Sequence, residues 1–317
     1  MRRVTHFIAV ALISLLAIVG AQHALSAMIA SRDDDPIVPG HSNFPLRILP
    51  LGASITWGQK SSDGNGYRGH LRDMLQKRST VVDMVGTMKS GNMPDNDNEG
   101  HPGVRLDQVA VWAKQDIKFL PSLILINVGT NDVLFESPQF PLSEIGERMD
   151  NLVTYLFNSI PDVTIVVSKL LPSSNKDADD RIRNIVNPQY EDVVINHQKD
   201  KQRIVLADLY SALTVEDLVD GIHPTDEGYK KLADVWLSAI YEAGKKGMLV
   251  EPKGALPTID VPSNSARTTV SATESETQQE TSIMDNVFAQ DGQVKNTRTK
   301  MSNAVRSKQA IWLTWWL

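Results

Sequence analysis

Two kinds of apolar pattern alternate between Pro45 and about Gly247. Short runs rich in Ile, Val and Leu, with few polar interruptions, occupy Arg47–Leu51, Val81–Gly86, Leu123–Val128, Val163–Leu170 and Ile204–Leu209. Runs of this length without polar alternation predict strands covered on both faces, as in a parallel sheet. Between them lie segments with helical spacing: Tyr67–Lys77, Leu106–Phe119, Ser143–Asn158, Arg181–Gln198 and Asp226–Ala243. In the second of these, Leu106, Val109, Ala110, Ala113 and Ile117 share one face. Strict alternation of strand and helix predicts a three-layer α/β domain over residues 45–250, with a five-stranded parallel sheet and right-handed crossovers.

The pattern breaks at both ends. Arg2 and Arg3 precede the uncharged run IAVALISLLAIVGA, and small residues follow in AQHALSA. That order is a secretory leader over residues 1–27, and the run is short of the ~20 apolar residues a membrane span needs. Residues 28–44 are polar with two prolines and read as a tether. From 251 to 317 the chain turns Ser/Thr/Glu/Gln-rich and ends in the aromatic AIWLTWWL; such a composition predicts a disordered tail.

Composition narrows the function. A net charge of −6 lacks the basic footprint that nucleic acid requires. The chain has no cysteine, which removes disulfides, thiolate nucleophiles and Cys-based zinc sites. Asp95, Asp97 and Glu99 sit in the long polar stretch GTMKSGNMPDNDNEGHPG. They lack the spacing of a calcium loop and read as a solvated acidic loop, so neither a metal nor another cofactor is expected.

Polar residues that follow the strands are the candidates for chemistry, because ligands of open α/β sheets bind beyond the carboxyl ends of the strands. Ser54 leaves the first strand in LGASITWG; on its own it reads first as a turn or helix-cap residue and only second as a nucleophile. Asp220 lies three residues before His223 in DGIHPTDEGY, close enough for its carboxylate to orient the imidazole toward a serine. The plain alternative is a surface turn in which the two merely pair. Gly103 in NEGHPGV and Asn131 in GTND supply a side-chain-free amide and a carboxamide for an oxyanion site. Each also serves as an ordinary loop residue in many folds. His101 reads as a polar loop residue or as a lining of the acyl pocket.

Taken together, LPLGASITWG, NEGHPGVRLDQV, INVGTND and DGIHPTDEGY resemble the four blocks of the SGNH (GDSL-type) hydrolases. The likeness spans about residues 46–245, and the GYR segment Gly66–Tyr67–Arg68 is most similar to secreted esterases of carbohydrate esterase family 3. The resemblance implies a flavodoxin-like three-layer α/β/α fold and a serine esterase. It implies Ser54 as nucleophile, His223 as base and Asp220 as its orienter, with the Ser54 and Gly103 backbones and the Asn131 side chain as oxyanion donors. Ala53 departs from the family pattern, which has aspartate there. The substrate expected is a small, short-chain ester, such as acetyl on plant polysaccharide, handled outside the cell by a monomer without nucleic-acid or membrane partners. The alternatives are a lysophospholipase or other lipid esterase, and a non-catalytic surface or carbohydrate-binding protein.

Overall fold

The computed structural model describes residues 37–38, 41, 43–78 and 80–254. All lie in the first of the two units, Met1–Asp260 and Val261–Leu317, into which the chain divides. The expected leader, most of the tether and all of the tail beyond residue 254 lie outside the described residues.

All five expected strands form. They are β1 (Pro45–Gly52), β2 (Val81–Met84), β5 (Leu123–Asn127), β6 (Thr164–Ser168) and β7 (Ile204–Ala207), joined by the unexpected β3 (Met88–Lys89) and β4 (Asp97–Gly100). β2 pairs in parallel with the first half of β1 and β4 with its last two residues, Leu51 and Gly52, so both occupy the same flank. β5, β6 and β7 follow in parallel on the other side. Counted by lanes, the sheet is the five-strand doubly wound arrangement expected, and the extra strands come from β4 extending the β2 lane and pairing antiparallel with β3. The switch in winding direction falls between β1 and β5, where such sheets place their ligand crevice.

The helices bind because the buried strands alternate their side chains between two faces. On one face Leu46, Ile48, Leu123, Leu125 and Val205 pack against α2 (Tyr67–Lys77) and the last long helix, Asp226–Lys245, around the fully buried Trp236. On the other, Leu49, Leu51, Ile124, Ile126, Ile165 and Val167 meet α3 (Leu106–Asp116) and α5 (Ile145–Ser159). One-turn helices α1 (Ser54–Trp57) and α4 (Thr130–Leu134) leave β1 and β5. The fourth expected helix starts earlier than its apolar pattern, as α6 (Lys176–Arg181) capped by the Asn175 side chain, and runs through a π-turn at Ile182–Val186 into α7 (Asn187–Lys199). The last helix is α8 (Asp226–Lys245), capped by Thr225.

Both predicted domain edges are docked. Ile37 and Phe44, in the expected tether, are buried in the core beside α8, and the Arg47 guanidinium donates to the Lys253 carbonyl at 2.9 Å.

Candidate active site

Ser54 owes its position to crowding at the end of β1. A Cβ on Gly52 would lie 2.1 Å from the Asn127 carbonyl oxygen, so only glycine allows β1 and β5 to stay paired where the chain turns. Ala53 is the residue before the helix and offers no side-chain cap. Ser54 is therefore the first residue of α1, and its N–H has no acceptor within the helix. The hydroxyl is close to fully covered, with 8% of the residue exposed.

His223 reaches it from the far end of the sequence. Its Nε2 lies 2.8 Å from Ser54 Oγ, and its Nδ1 lies 2.9 Å from Asp220 Oδ2 and 3.1 Å from Oδ1. Asp220 Oδ1 also accepts the backbone N–H groups of Ile222 and His223 at 3.2 and 2.9 Å. One carboxylate thus shapes the turn and orients the ring. Partial burial pushes the Asp220 carboxyl up, but hydrogen bonds from the His223 amide and ring and from Ile222 outweigh it and hold the group below the usual carboxylate range. An anion at that place favours the Nδ1–H tautomer, which leaves the Nε2 lone pair facing the serine.

The turn is clamped from the β6 side. Gly221 adopts φ +82°, and its carbonyl accepts from the Ser174 N–H at 3.0 Å and the Ser173 hydroxyl at 3.3 Å. The Val219 N–H donates to the His223 carbonyl at 2.8 Å, closing the loop on itself. Nothing in the local sequence pattern marks Ser173 and Ser174 as supports, because they act on residues about 48 positions away.

The expected oxyanion donors stand at the ends of three neighbouring strands: Ser54 after β1, Gly103 after β4 and Asn131 after β5. Gly103 has φ +81° and open space where a side chain would be. Asn131 Nδ2 spends one N–H on the Val104 carbonyl at 2.8 Å, which ties the Gly103 turn to α4 and leaves the second N–H for another acceptor. Asp132 is structural: it accepts from the Leu106 N–H that opens α3 and from Arg148.

Two features depart from the sequence reading. The stretch expected to be a solvated acidic loop is instead built into the fold. Asn98 and Glu99 are fully buried, and Asp95 accepts from the Met84 N–H. Carboxylates tolerate this because each is hydrogen-bonded. His101 is not a plain loop residue either: its Nε2 lies 2.6 Å from Glu99 Oε1 and its ring stacks on Trp112 with centroids 3.8 Å apart. The second feature is Arg68, fully buried, with no carboxylate paired to it among the described residues. Its guanidinium meets the carbonyls of Thr56, Trp57, Gly64, Ser90 and Asn96 and the Ser90 hydroxyl, at 2.7–3.2 Å. Among the described residues no group of three or more His, Asp or Glu side chains is arranged to hold a metal ion.

Residues 51–231 match the sequence model of the GDSL-like Lipase/Acylhydrolase family. A multidomain esterase of Ruminococcus flavefaciens is 28% identical over 223 residues, covering 62% of this chain. The matched part spans only 28% of that relative's length. Among solved structures, a Clostridium thermocellum family 3 carbohydrate esterase superposes with a TM-score of 0.55 at 24% identity, over 64% of this chain and 99% of that one. An acetyl esterase variant solved with an acetate ion gives 0.53 at 23% identity, over 64% and 99%. These two likenesses speak to the fold.

Proposed function

The chain belongs to the GDSL-like lipase/acylhydrolase family; on that premise we propose that it is a carboxylic ester hydrolase, that Ser54, His223 and Asp220 form its catalytic triad and that it works through an acyl-enzyme. One observation carries the reading: a hydroxyl, an imidazole and a carboxylate are linked at 2.8 and 2.9 Å across 169 residues of chain. Serine is a weak nucleophile until a positioned base takes its proton.

In the first step Ser54 Oγ bonds to the ester carbonyl carbon while its proton passes to His223 Nε2. The carbonyl oxygen becomes an oxyanion, met by the Ser54 and Gly103 N–H groups and the free N–H of Asn131. Each such donor is worth about 10²–10³ in rate when lost. The C–O bond to the alcohol then breaks and His223 protonates the leaving oxygen. Water, giving a proton to the same imidazole, then bonds to the acyl carbon; the bond to Ser54 Oγ breaks, His223 returns the proton to that oxygen and the acid is released. Asp220 stays ionised throughout and stabilises the transient imidazolium.

We further infer a secreted enzyme acting on short acyl groups, with acetyl on polysaccharide as the leading substrate. The charged-then-apolar leader supports secretion, and the carbohydrate and acetyl esterases of like fold support the substrate class. The test is a panel of acetylated xylan, p-nitrophenyl esters of increasing acyl length and a lysophospholipid, run beside Ser54→Ala. Turnover confined to short esters and lost in Ser54→Ala is the expected result. Preference for the lysophospholipid would replace the substrate reading, and full turnover by Ser54→Ala would refute the triad.

A further inference from the structure

Three ionisable side chains without a part in the serine chemistry meet at the foot of the Gly103 turn. Glu99, at the end of β4, accepts the Thr87 N–H at 2.6 Å and the Thr87 hydroxyl at 2.9 Å, and its Oε1 takes His101 Nε2–H at 2.6 Å. The His101 ring lies flat on Trp112 of α3, 10° from parallel. Asp116, one turn further along α3, is fully buried, and neither of its oxygens has a hydrogen-bond donor among the described residues. What faces it is Glu99. A carboxyl group can bond to a buried carboxylate only by keeping a proton to donate.

These groups grip one end of the turn that carries Gly103. His101 N–H donates to the Gly52 carbonyl at 3.1 Å, two residues before Ser54, and Val104 at the other end is held by Asn131 at 2.8 Å. Pro102 and Gly103 between these anchors are exposed. The place of the Gly103 amide is therefore decided by where His101 is held.

We propose that Glu99, His101 and Asp116 form a positioning unit for turnover. Glu99 grips the His101 ring, Trp112 sets its plane, and Asp116, while protonated, leaves a single negative charge between the two acids. The inference rests on the reading of Gly103 as an oxyanion donor. Such a donor acts on charge that develops in the transition state, so loosening the turn lowers kcat while leaving KM nearly unchanged.

The unit also carries its own pH limit. Burial, then repulsion by Glu99 and the hydrogen bond to it, pushes the Asp116 carboxyl up to about 8; Lys118, just beyond the end of α3, acts in the opposite sense. On Glu99, burial is outweighed by the bonds from His101 and Thr87, and the group stays low. Raising pH past 8 removes the Asp116 proton and places two negative charges side by side under the turn. Activity then falls as pH rises through that range.

The experiment measures kcat and KM of the full chain on p-nitrophenyl acetate from about pH 6 to pH 9.5, with unfolding followed in parallel. Glu99→Gln keeps the shape but loses the charge that holds His101; kcat should fall by about 10- to 100-fold with KM within about threefold. Wild-type kcat should drop about fivefold or more between pH 7.5 and 9.5, and Asp116→Asn, which has no proton to lose, should abolish that drop. A Glu99→Gln kcat within about twofold of wild type, or an alkaline fall unchanged in Asp116→Asn, overturns the proposal. If Glu99→Gln does not fold, the two pH profiles decide. Ser54→Ala separates the levels: if it is inactive while Glu99→Gln is unaffected, only this inference fails, whereas turnover by Ser54→Ala undoes the triad on which it rests.

Discussion

Arg68→Lys tests how the nucleophile turn is held. The guanidinium presents its N–H donors in a fixed fork to five carbonyls and the Ser90 hydroxyl, and two of those acceptors, the Thr56 and Trp57 carbonyls, belong to the one-turn helix opened by Ser54. Burial lowers its pKa, yet an arginine remains a cation at any working pH. Lysine keeps the charge but has three donors, so at least two buried carbonyls lose a partner. Hydrogen bonds to a charged group are worth about 1.5–3 kcal/mol each, which puts the loss at roughly 3–6 kcal/mol. Against a total stability of about 5–15 kcal/mol this is severe. Urea unfolding followed by tryptophan fluorescence reads it directly, with a lowered midpoint at unchanged slope and a Tm lower by at least about 6 °C. Turnover should fall as well, because the carbonyl end of the Ser54 helix is released. A variant within about 1 kcal/mol of wild type, with normal kcat, would show that the buried fork is dispensable and that the turn is held by its backbone alone.

Asp220→Asn should reduce kcat by about 10²–10⁴ with little change in KM or fold, since the amide oxygen still caps Ile222 and His223 while the ring loses its anion; steady-state kinetics check it, and a kcat within tenfold of wild type would refute the orienting role. Gly221→Ala forces a left-handed φ on alanine and puts its Cβ 1.9 Å from the Ser174 hydroxyl oxygen. It should cost at least about 1–2 kcal/mol in chemical denaturation and also lower kcat, because the strained residue lies between Asp220 and His223. Asp116 holds a proton in the folded protein up to about pH 8 that an unfolded chain gives up near its ordinary value of 3.8. With its folded pKa raised, the group's contribution to stability is full below the unfolded value and declines as pH rises toward 8. Asp116→Asn should therefore gain on wild type in unfolding free energy between pH 5 and 8, by roughly 2–5 kcal/mol, and parallel curves would show that the acid is not protonated.

Much of the fold was legible because its signals are local. The five strands appear wherever Ile, Val and Leu run without alternation, and α2 coincides with its predicted limits, Tyr67–Lys77. A strand buried on both faces must be apolar throughout, and that is visible in one dimension. β4 was not legible: its residues, Asp-Asn-Glu-Gly, have poor strand character. It forms because β2 pairs with only the first half of β1, which leaves Leu51 and Gly52 to pair with Glu99 and Gly100. The same long-range pairing turned an apparently solvated acidic stretch into the buried support of the Gly103 turn. Arg68 shows the converse case. Its place in a motif was evident, but its role depends on carbonyls drawn from four separate points of the chain.

The candidate site divides along the same line. Residue types and their order after successive strands named Ser54, Gly103, Asn131, Asp220 and His223, since the chemistry of ester cleavage demands those groups and an open sheet presents them on one rim. Whether Ser54 Oγ and His223 Nε2 stand 2.8 Å apart belongs to packing. Neither apolar periodicity nor motif spacing encodes a separation between residues 169 positions apart. That distance is set by sheet register, by the Gly52 crossing under Asn127, and by the Ser173–Ser174 clamp on Gly221, and it exists only once the layers have closed.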